Sequence, residues 1–459
     1  MSDAAASAPA VVRVRFRLPN ALVVMVGCVA VAAALSWVLP AGAYQRRDDA
    51  ATGRSVVVAG TFHAVEAHPV GPFAAVVAIP KGLEDAADVV FFVFLIGGAF
   101  AVVDRTGALA YGVDWLARRL ADRAALVIPV TCLAFAVGGA LDNMHEEIIA
   151  LIPALLVLTR RLGYDAVTAA AVSVGAAAVG AAFSPINPFQ VEIAQKLSQL
   201  PLLSGWSYRL VFLTLALAIW IGGTMRYATR TRGTPADDVV ASETPATARH
   251  GTVLALVLVT FAVFVYGVTR FGWGFDQMAA LFFVMGAAAG LVGRLGIAGT
   301  ADAFVEGFRS MTFAALLIGF ARAIYVVLQQ GRIVDTIVHG LVTPLAGLPV
   351  GLSAIGMMAV HTAIHVPVPS VSGQAVLTLP ILVPLTDLLG LSRQTTVLAY
   401  QYGAGLCDLI TPTSGVLMAN LAAAGVRYER WFRFLLPLYA ALFVLGMLAI
   451  AGAAAIGLR

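Results

Sequence analysis

Charge is scarce in this sequence. Only 12% of its 459 residues are Asp, Glu, Lys or Arg, against 60% hydrophobic. A soluble domain carries about 25% charged residues. The deficit excludes a soluble enzyme, because the solvent for most of the chain must be lipid. Cysteine is scarcer still. Cys28, Cys132 and Cys407 each lie in an apolar run, which excludes a disulfide framework and a cysteine metal centre. No GxxxxGK[ST] stretch occurs, so ATP hydrolysis has no phosphate loop in this chain. The net charge is only +4, with arginines set between apolar runs. That pattern marks basic inner loops and argues against a nucleic-acid surface.

Long apolar runs fill the rest. A membrane helix needs about 20 mainly apolar residues, and many such stretches recur. Arg13, Arg15 and Arg17 precede the run 21–39, which places residues 1–20 in the cytoplasm of a bacterial inner membrane. That run exceeds the apolar core of a signal peptide, about 7–15 residues, and reads as a retained first span.

The first repeat is assigned to residues 21–228. Residues 44–72 read as an external polar segment and 73–87 as a short interfacial helix. A span at 89–103 returns inward, and 107–123 suit an amphipathic helix on the inner surface. A re-entrant hairpin follows at 124–162, its arms flanking Asp142-Asn143-Met144-His145-Glu146-Glu147. Next comes a helix at 165–198, broken at Ser184-Pro185-Ile186-Asn187-Pro188-Phe189, because proline lacks the amide hydrogen and disfavours helix in the residue before it. A polar cytoplasmic linker is assigned to 229–251.

The second repeat, 252–459, runs the same way. It has a long helix at about 303–330 containing Arg322 and a surface helix at 333–347. A hairpin at 350–389 follows, around Pro367-Val368-Pro369-Ser370-Val371-Ser372-Gly373-Gln374. Last come a helix at 394–425, broken at Thr411-Pro412-Thr413-Ser414-Gly415, and a final span. The fold class is an all-α polytopic membrane protein with two inverted repeats and about nine full spans plus two hairpins.

The repeat rests on an ungapped match of residues 150–189 with 377–416. Pro153 falls on Pro380, Thr159 on Thr386, Leu162-Gly163 on Leu389-Gly390, Thr168 on Thr395 and Pro185 on Pro412. The same alignment sets Ser184 on Thr411, Asn187 on Ser414, and His145-Glu146-Glu147 on Ser372-Gly373-Gln374. Oppositely oriented halves with broken helices meeting near the midplane are a design of secondary transporters. There, unwound backbone coordinates ions and substrate.

These stretches carry a family likeness. Leu162-Gly163-Tyr164-Asp165, Ser184-Pro185-Ile186-Asn187-Pro188-Phe189 with Ile193-Ala194-Gln195, and Pro369-Ser370-Val371-Ser372-Gly373-Gln374-Ala375 take part. Asp387-Leu388-Leu389-Gly390 and Thr411-Pro412-Thr413-Ser414-Gly415 add to it. From about residue 20 the chain resembles YfcC-like members of the anaerobic four-carbon dicarboxylate carrier family, within the ion transporter superfamily. The resemblance implies a secondary transporter of dicarboxylates or of basic amino acids. It implies a homodimer, a rigid scaffold with a mobile transport unit, and no cofactor beyond sodium or a proton as coupling ion. By resemblance, Ser184, Asn187, Ser370, Ser372, Thr411, Thr413 and Ser414 hold sodium and the substrate carboxylate. The first tip, with Asn143, His145, Glu146 and Glu147, departs from the superfamily pattern.

Ionisable side chains inside a membrane are costly and mark function. Asp142, Glu146, Glu147 and Asp408 are acidic candidates for cation or proton binding. Arg322 has two readings, a fork for a substrate carboxylate or a scaffold ion pair. His145, His361 and His365 stand equally well at the membrane interface or in a site. Gly373 lies at the second tip, and Gly175, Gly180, Gly403 and Gly405 permit close helix approach. Four acids against one arginine favour a cationic or zwitterionic amino acid, moved by antiport or ion coupling. The alternative is a four-carbon dicarboxylate. A membrane-embedded metal enzyme is remote, because the HExxH ligand set is missing.

Overall fold

The structure, a computed structural model, describes residues 21–50, 54–109, 111–112, 124–233, 248–271 and 273–458. The cytoplasmic segment 1–20, most of the amphipathic stretch 107–123 and most of the linker 229–251 lie outside the described residues. So does the Asp142 side chain.

Helix α1 (Ala21–Val38) opens the described chain. The segment read as merely polar then forms two small antiparallel pairs. β1 (Gly42–Ala43) pairs with β4 (His63–Ala64), and β2 (Arg46–Asp49) with β3 (Arg54–Val57). One buried carboxylate gathers it: Asp335 accepts the Tyr44 amide at 2.9 Å and two bonds from Arg46 at 2.8 and 3.0 Å.

Two helices follow, α2 (Pro72–Asp85) and α3 (Ala87–Arg105). The arms of the expected first hairpin are α4 (Ala124–Asp142) and α5 (Ile148–Arg161). The first broken helix is α6 (Ala166–Ala170), a π-helical turn Ala171–Gly175 and α7 (Ala176–Ala182). Beyond the break come a second π turn, Pro188–Glu192, and α8 (Ile193–Leu197). Trp220 explains the first π turn. Its indole donates to the Ala171 carbonyl at 2.9 Å, and its ring fills the space a Cβ on Gly175 would need. An inserted side chain of this kind perturbs the regular helical ladder.

Helices α9 (Trp206–Thr231), α10 (Ala248–Phe271) and α11 (Phe275–Val292) lead to α12 (Gly296–Gln330), of 35 residues. At about 1.5 Å per residue it is roughly 50 Å long, beyond the ~30 Å hydrocarbon core. Helix α13 (Val334–Val342) ends in a short 3-10 turn. The second hairpin is α14 (Val350–His365) and α15 (Val371–Leu388). Its tip is shorter than the polar run 367–374 suggested. Ser370 caps α15 by accepting the Gly373 amide, which draws Val371 to Gln374 into the helix. The second broken helix is α16 (Arg393–Gly405), the 3-10 turn Leu406–Leu409 and, past the break, α17 (Gly415–Ala423); α18 (Tyr428–Ile456) ends the fold.

The protein is an all-α polytopic membrane protein. Among the described residues, seven helices, α1, α3, α9, α11, α12, α15 and α18, are long and apolar enough to cross a membrane. Small residues set the closest crossings. A Cβ on Gly139 of α4 would overlap the Ala177 carbonyl, and one on Gly180 of α7 the Ala136 carbonyl. A Cβ on Gly403 would overlap the Met358 carbonyl. Helix α12 packs along α1, α2, α3 and α17.

Local structure repeats where the sequence aligned. Asp165 caps α6 by accepting the Thr168 amide, and Ser392 caps α16 by accepting the Thr395 amide. Gly163 and Gly390 both take positive φ, 80° and 69°, a conformation that costs glycine little. Thr159 donates to the Leu155 carbonyl and Thr386 to that of Leu382. At the breaks, Asn187 and Ser414 each cap the segment beyond.

Candidate substrate and coupling site

Two cavities flank the place where the hairpin tips meet. The first, of about 530 Å³, is lined by Asp85, Asp88, Arg322 and Tyr325 with Gly373 and Thr413. The second, of about 600 Å³, is lined by Asn143, His145, Glu147, Asp408 and Ser414. Glu146, Ser370 and Ser372 face both. The two polar tips thus lie side by side.

Asn143 ends α4 with a φ of 54°, left-handed backbone that asparagine tolerates better than most residues. Its Oδ1 accepts from Gln190 Nε2 at 3.0 Å. The break residues hold the same tip from below. Ser184 Oγ donates to the Ala140 carbonyl at 2.8 Å, and Asn187 Nδ2 to the Gly139 carbonyl at 2.9 Å. Asn187 Oδ1 accepts the Phe189 and Gln190 amides, both at 2.9 Å. Both side chains are fully buried. They are engaged with the protein and line neither cavity.

The second break is tied in a related way. Thr413 Oγ1 donates to the Val366 carbonyl at 2.6 Å, and Val366 is the residue aligned with Gly139. Thr411 lies 3.2 Å from Thr413, hydroxyl to hydroxyl, and faces neither cavity. Ser414 Oγ accepts the Leu417 amide at 3.3 Å.

Arg322 sits half-exposed in the first cavity, ion-paired with Asp85 of α2 and 5.3 Å from the Tyr325 ring centre. Asp85 and Asp88 were not singled out in the sequence. Their one signal there is acidity at the mouth of an apolar span.

His361 and His365 are both fully buried. Gln374 bridges them. Its Nε2 donates to the His361 carbonyl at 2.7 Å and lies 3.0 Å from His361 Nδ1. Its Oε1 lies 3.2 Å from His365 Nδ1, and His365 Nε2 is 3.0 Å from Asp408 Oδ1. The chain of polar contacts runs from the second cavity into the hairpin.

Arg209 was not singled out in the sequence. It is fully buried and bonded to three oxygens: Gln401 Oε1 at 3.0 Å, the Ser204 carbonyl at 2.8 Å and Gln394 Oε1 at 2.9 Å. Gln401 Nε2 in turn donates to the Ser184 carbonyl at 2.7 Å. Among the described residues, no three His, Cys, Asp or Glu side chains gather to hold a metal ion.

Residues 18–455 match the model of the C4-dicarboxylate anaerobic carrier family, DcuC. The chain belongs to the C4-dicarboxylate anaerobic carrier family. The carrier is 34% identical over 396 residues to YfcC of Escherichia coli (strain K12), provisionally described as a basic amino acid antiporter; the match covers 81% of this chain and 78% of that one. It is 26% identical over 488 residues to an uncharacterized protein of Haemophilus influenzae, covering 94% and 96%. Among solved structures, the YdaH transporter of Alcanivorax borkumensis matches with a TM-score of 0.44 and 15% identity, covering 96% of this chain and 99% of that one. MtrF of Neisseria gonorrhoeae, described among antimetabolite efflux pumps, gives 0.40 and 17%, covering 96% of each. With its family and its apolar helices, the carrier is a secondary transporter of a small molecule and a multi-pass membrane protein.

Proposed function

We propose that this carrier moves a basic amino acid across the bacterial inner membrane by alternating access, exchanging it for another cation. One observation carries the reading. The two cavities at the hairpin tips are lined by five carboxylates, Asp85, Asp88, Glu146, Glu147 and Asp408, and by one arginine, Arg322, which already pairs with Asp85. A dicarboxylate would add negative charge to that set. At an effective dielectric of about 20, two like charges ~6 Å apart repel by about 3 kcal/mol. A guanidinium or ammonium side chain gains by the same amount. YfcC, described as an antiporter of basic amino acids, supports the substrate class.

The transport cycle in this reading uses two oppositely oriented halves. The matched caps, positive-φ glycines and breaks of the two halves support it. Ser184 and Asn187 then act by fixing the first tip to its broken helix. Glu146, Ser370 and Ser372, which face both cavities, are placed to meet substrate from either side. Arginines flanking the apolar runs support a cytoplasmic N-terminus, and the superfamily resemblance supports a homodimer.

The family description favours a second reading, a four-carbon dicarboxylate. Counterflow in proteoliposomes with labelled arginine, ornithine and succinate separates the two. Exchange of arginine or ornithine with succinate excluded is expected. Succinate exchange with neither amino acid taken up would overturn the basic-substrate reading.

A further inference from the structure

Gln374 decides how many protons the buried chain holds. A main-chain carbonyl only accepts hydrogen bonds, so the 2.7 Å contact between Gln374 Nε2 and the His361 carbonyl sets the orientation of the amide. Gln374 Oε1 must then face His365, and His365 Nδ1 must carry hydrogen to bond it at 3.2 Å. The other ring nitrogen, Nε2, faces Asp408 Oδ1 at 3.0 Å. With no hydrogen between them, two lone pairs would oppose each other at hydrogen-bond distance. One hydrogen is therefore required. It sits formally on the carboxylic acid or on the imidazolium, and the pair is neutral in either form.

We infer that His365 and Asp408 form a proton-binding site whose single proton leaves when a basic substrate enters the second cavity. Losing that proton to cavity water leaves the pair with one negative charge. Asp408 lines the cavity with its side chain 14% exposed, while His365 has no exposure, so the cavity is the route out. Glu146 and Glu147 line the same space. A proton on the pair and a cationic side chain in the cavity offset the same negative charge, so each weakens binding of the other. One positive charge replaces one, which makes the coupled exchange antiport of a proton for a basic amino acid. This inference rests on the basic-substrate reading above and names its coupling ion.

Other ionisable groups surround the pair. His361 accepts from Gln374 at Nδ1, which places its hydrogen on Nε2, and it serves to orient the amide. Its ring meets that of Tyr400 edge-on. Cys407, next to Asp408, lies 3.7 Å from the Tyr439 hydroxyl of α18. Across the cavity, His145 is within electrostatic reach of Asp408. The Asp408 turn, Leu406–Leu409, leads directly into the break at Thr411. A change of charge there acts on the segment that shapes the cavity.

The test titrates the full-length carrier in lipid nanodiscs with arginine, in weak buffer with a pH dye. About one proton is released per arginine bound, and arginine binds more tightly as pH rises, by up to about tenfold per pH unit. Asp408→Asn and His365→Gln each abolish the release and flatten the pH slope. Arginine binding with no proton released by the unaltered carrier would overturn this site and leave the basic-substrate reading standing. Failure of arginine and ornithine to bind, with succinate bound instead, would overturn that reading. The proton site is then judged without substrate, by infrared difference spectra between two pH values. A carboxyl band that Asp408→Asn removes and His365→Gln shifts supports it; a spectrum unchanged by Asp408→Asn sinks it.

Discussion

The side-chain amide of Asn420 donates a hydrogen bond of 3.0 Å to the main-chain carbonyl of His145. Asn420 lies on α17, past the second break, and His145 lies at the tip of the first hairpin. The second half of the chain thus holds the first tip. Asn420 is fully buried, so Asn420→Ala leaves the His145 carbonyl without its donor. We expect a loss of about 1–3 kcal/mol, read as a lowered unfolding midpoint in detergent. Arginine counterflow falls with it, because Glu146 and Glu147 depend on the same tip. A variant with unchanged midpoint and unchanged counterflow would remove this contact from the account.

Helices α4 and α7 cross through two glycines that meet each other's partners' carbonyls. Any Cβ at Gly139 or Gly180 overlaps main-chain atoms of Ala177 or Ala136, and backbone cannot yield as a side-chain tip can. Gly139→Ala and Gly180→Ala should each push the helices apart and cost about 1–3 kcal/mol. Gly222→Ala, where nothing lies within 4 Å, is the matched control and should leave the yield of folded carrier unchanged. Equal yields for all three would show the crossing to be looser than described.

Arg209 supplies donors to three buried oxygens. Arg209→Met leaves the Gln394 and Gln401 amide oxygens without this donor, while the Ser204 carbonyl keeps its bond from Gln195 Nε2, at a cost of about 3 kcal/mol or more. Arg209→Lys should recover little, because a compact ammonium does not span the guanidinium's fork. The measurement is thermal unfolding of all three forms. Full rescue by lysine would mean that charge alone, and not the planar geometry, holds α9 to α16.

Tyr44 offers a test by pH outside the spans. Burial first, and the Asp335 carboxylate second, push its hydroxyl up to about 12. The folded protein therefore holds this proton more tightly than the unfolded chain does. The resulting stability is present below the unfolded value and is lost as pH rises through the folded one. The stability difference between the unaltered carrier and Tyr44→Phe should shrink from pH 10 to pH 12. A difference that stays constant over that window would contradict this environment for Tyr44.

Much of the architecture was legible in residue order. Pro185 with Pro188, and Pro412, interrupt helix for reasons held in the proline ring. Gly163 and Gly390, Asp165 and Ser392, and Thr159 and Thr386 recur at one spacing and adopt matching local conformations. The polar tips stood out because polar groups among apolar arms are costly in lipid. Less legible was what each polar group touches. Ser184 and Asn187 read as open ligands yet spend their hydrogen bonds on the first tip. Arg209 gave no sign that its acceptors come from residues 394 and 401. His365 and Asp408 are 43 residues apart, and nothing local announces that they share a hydrogen.

Lipid as solvent, helical secondary structure, the positions of the breaks and the doubling of the pattern all follow from residue type and spacing. They need only hydropathy, the missing proline amide and the freedom of glycine, which act within a few residues. The pairing of Arg322 with Asp85, the joining of two polar tips around shared cavities and the proton held between His365 and Asp408 arise from contacts between distant segments. Those depend on which faces pack together, and packing is a property of the assembled chain.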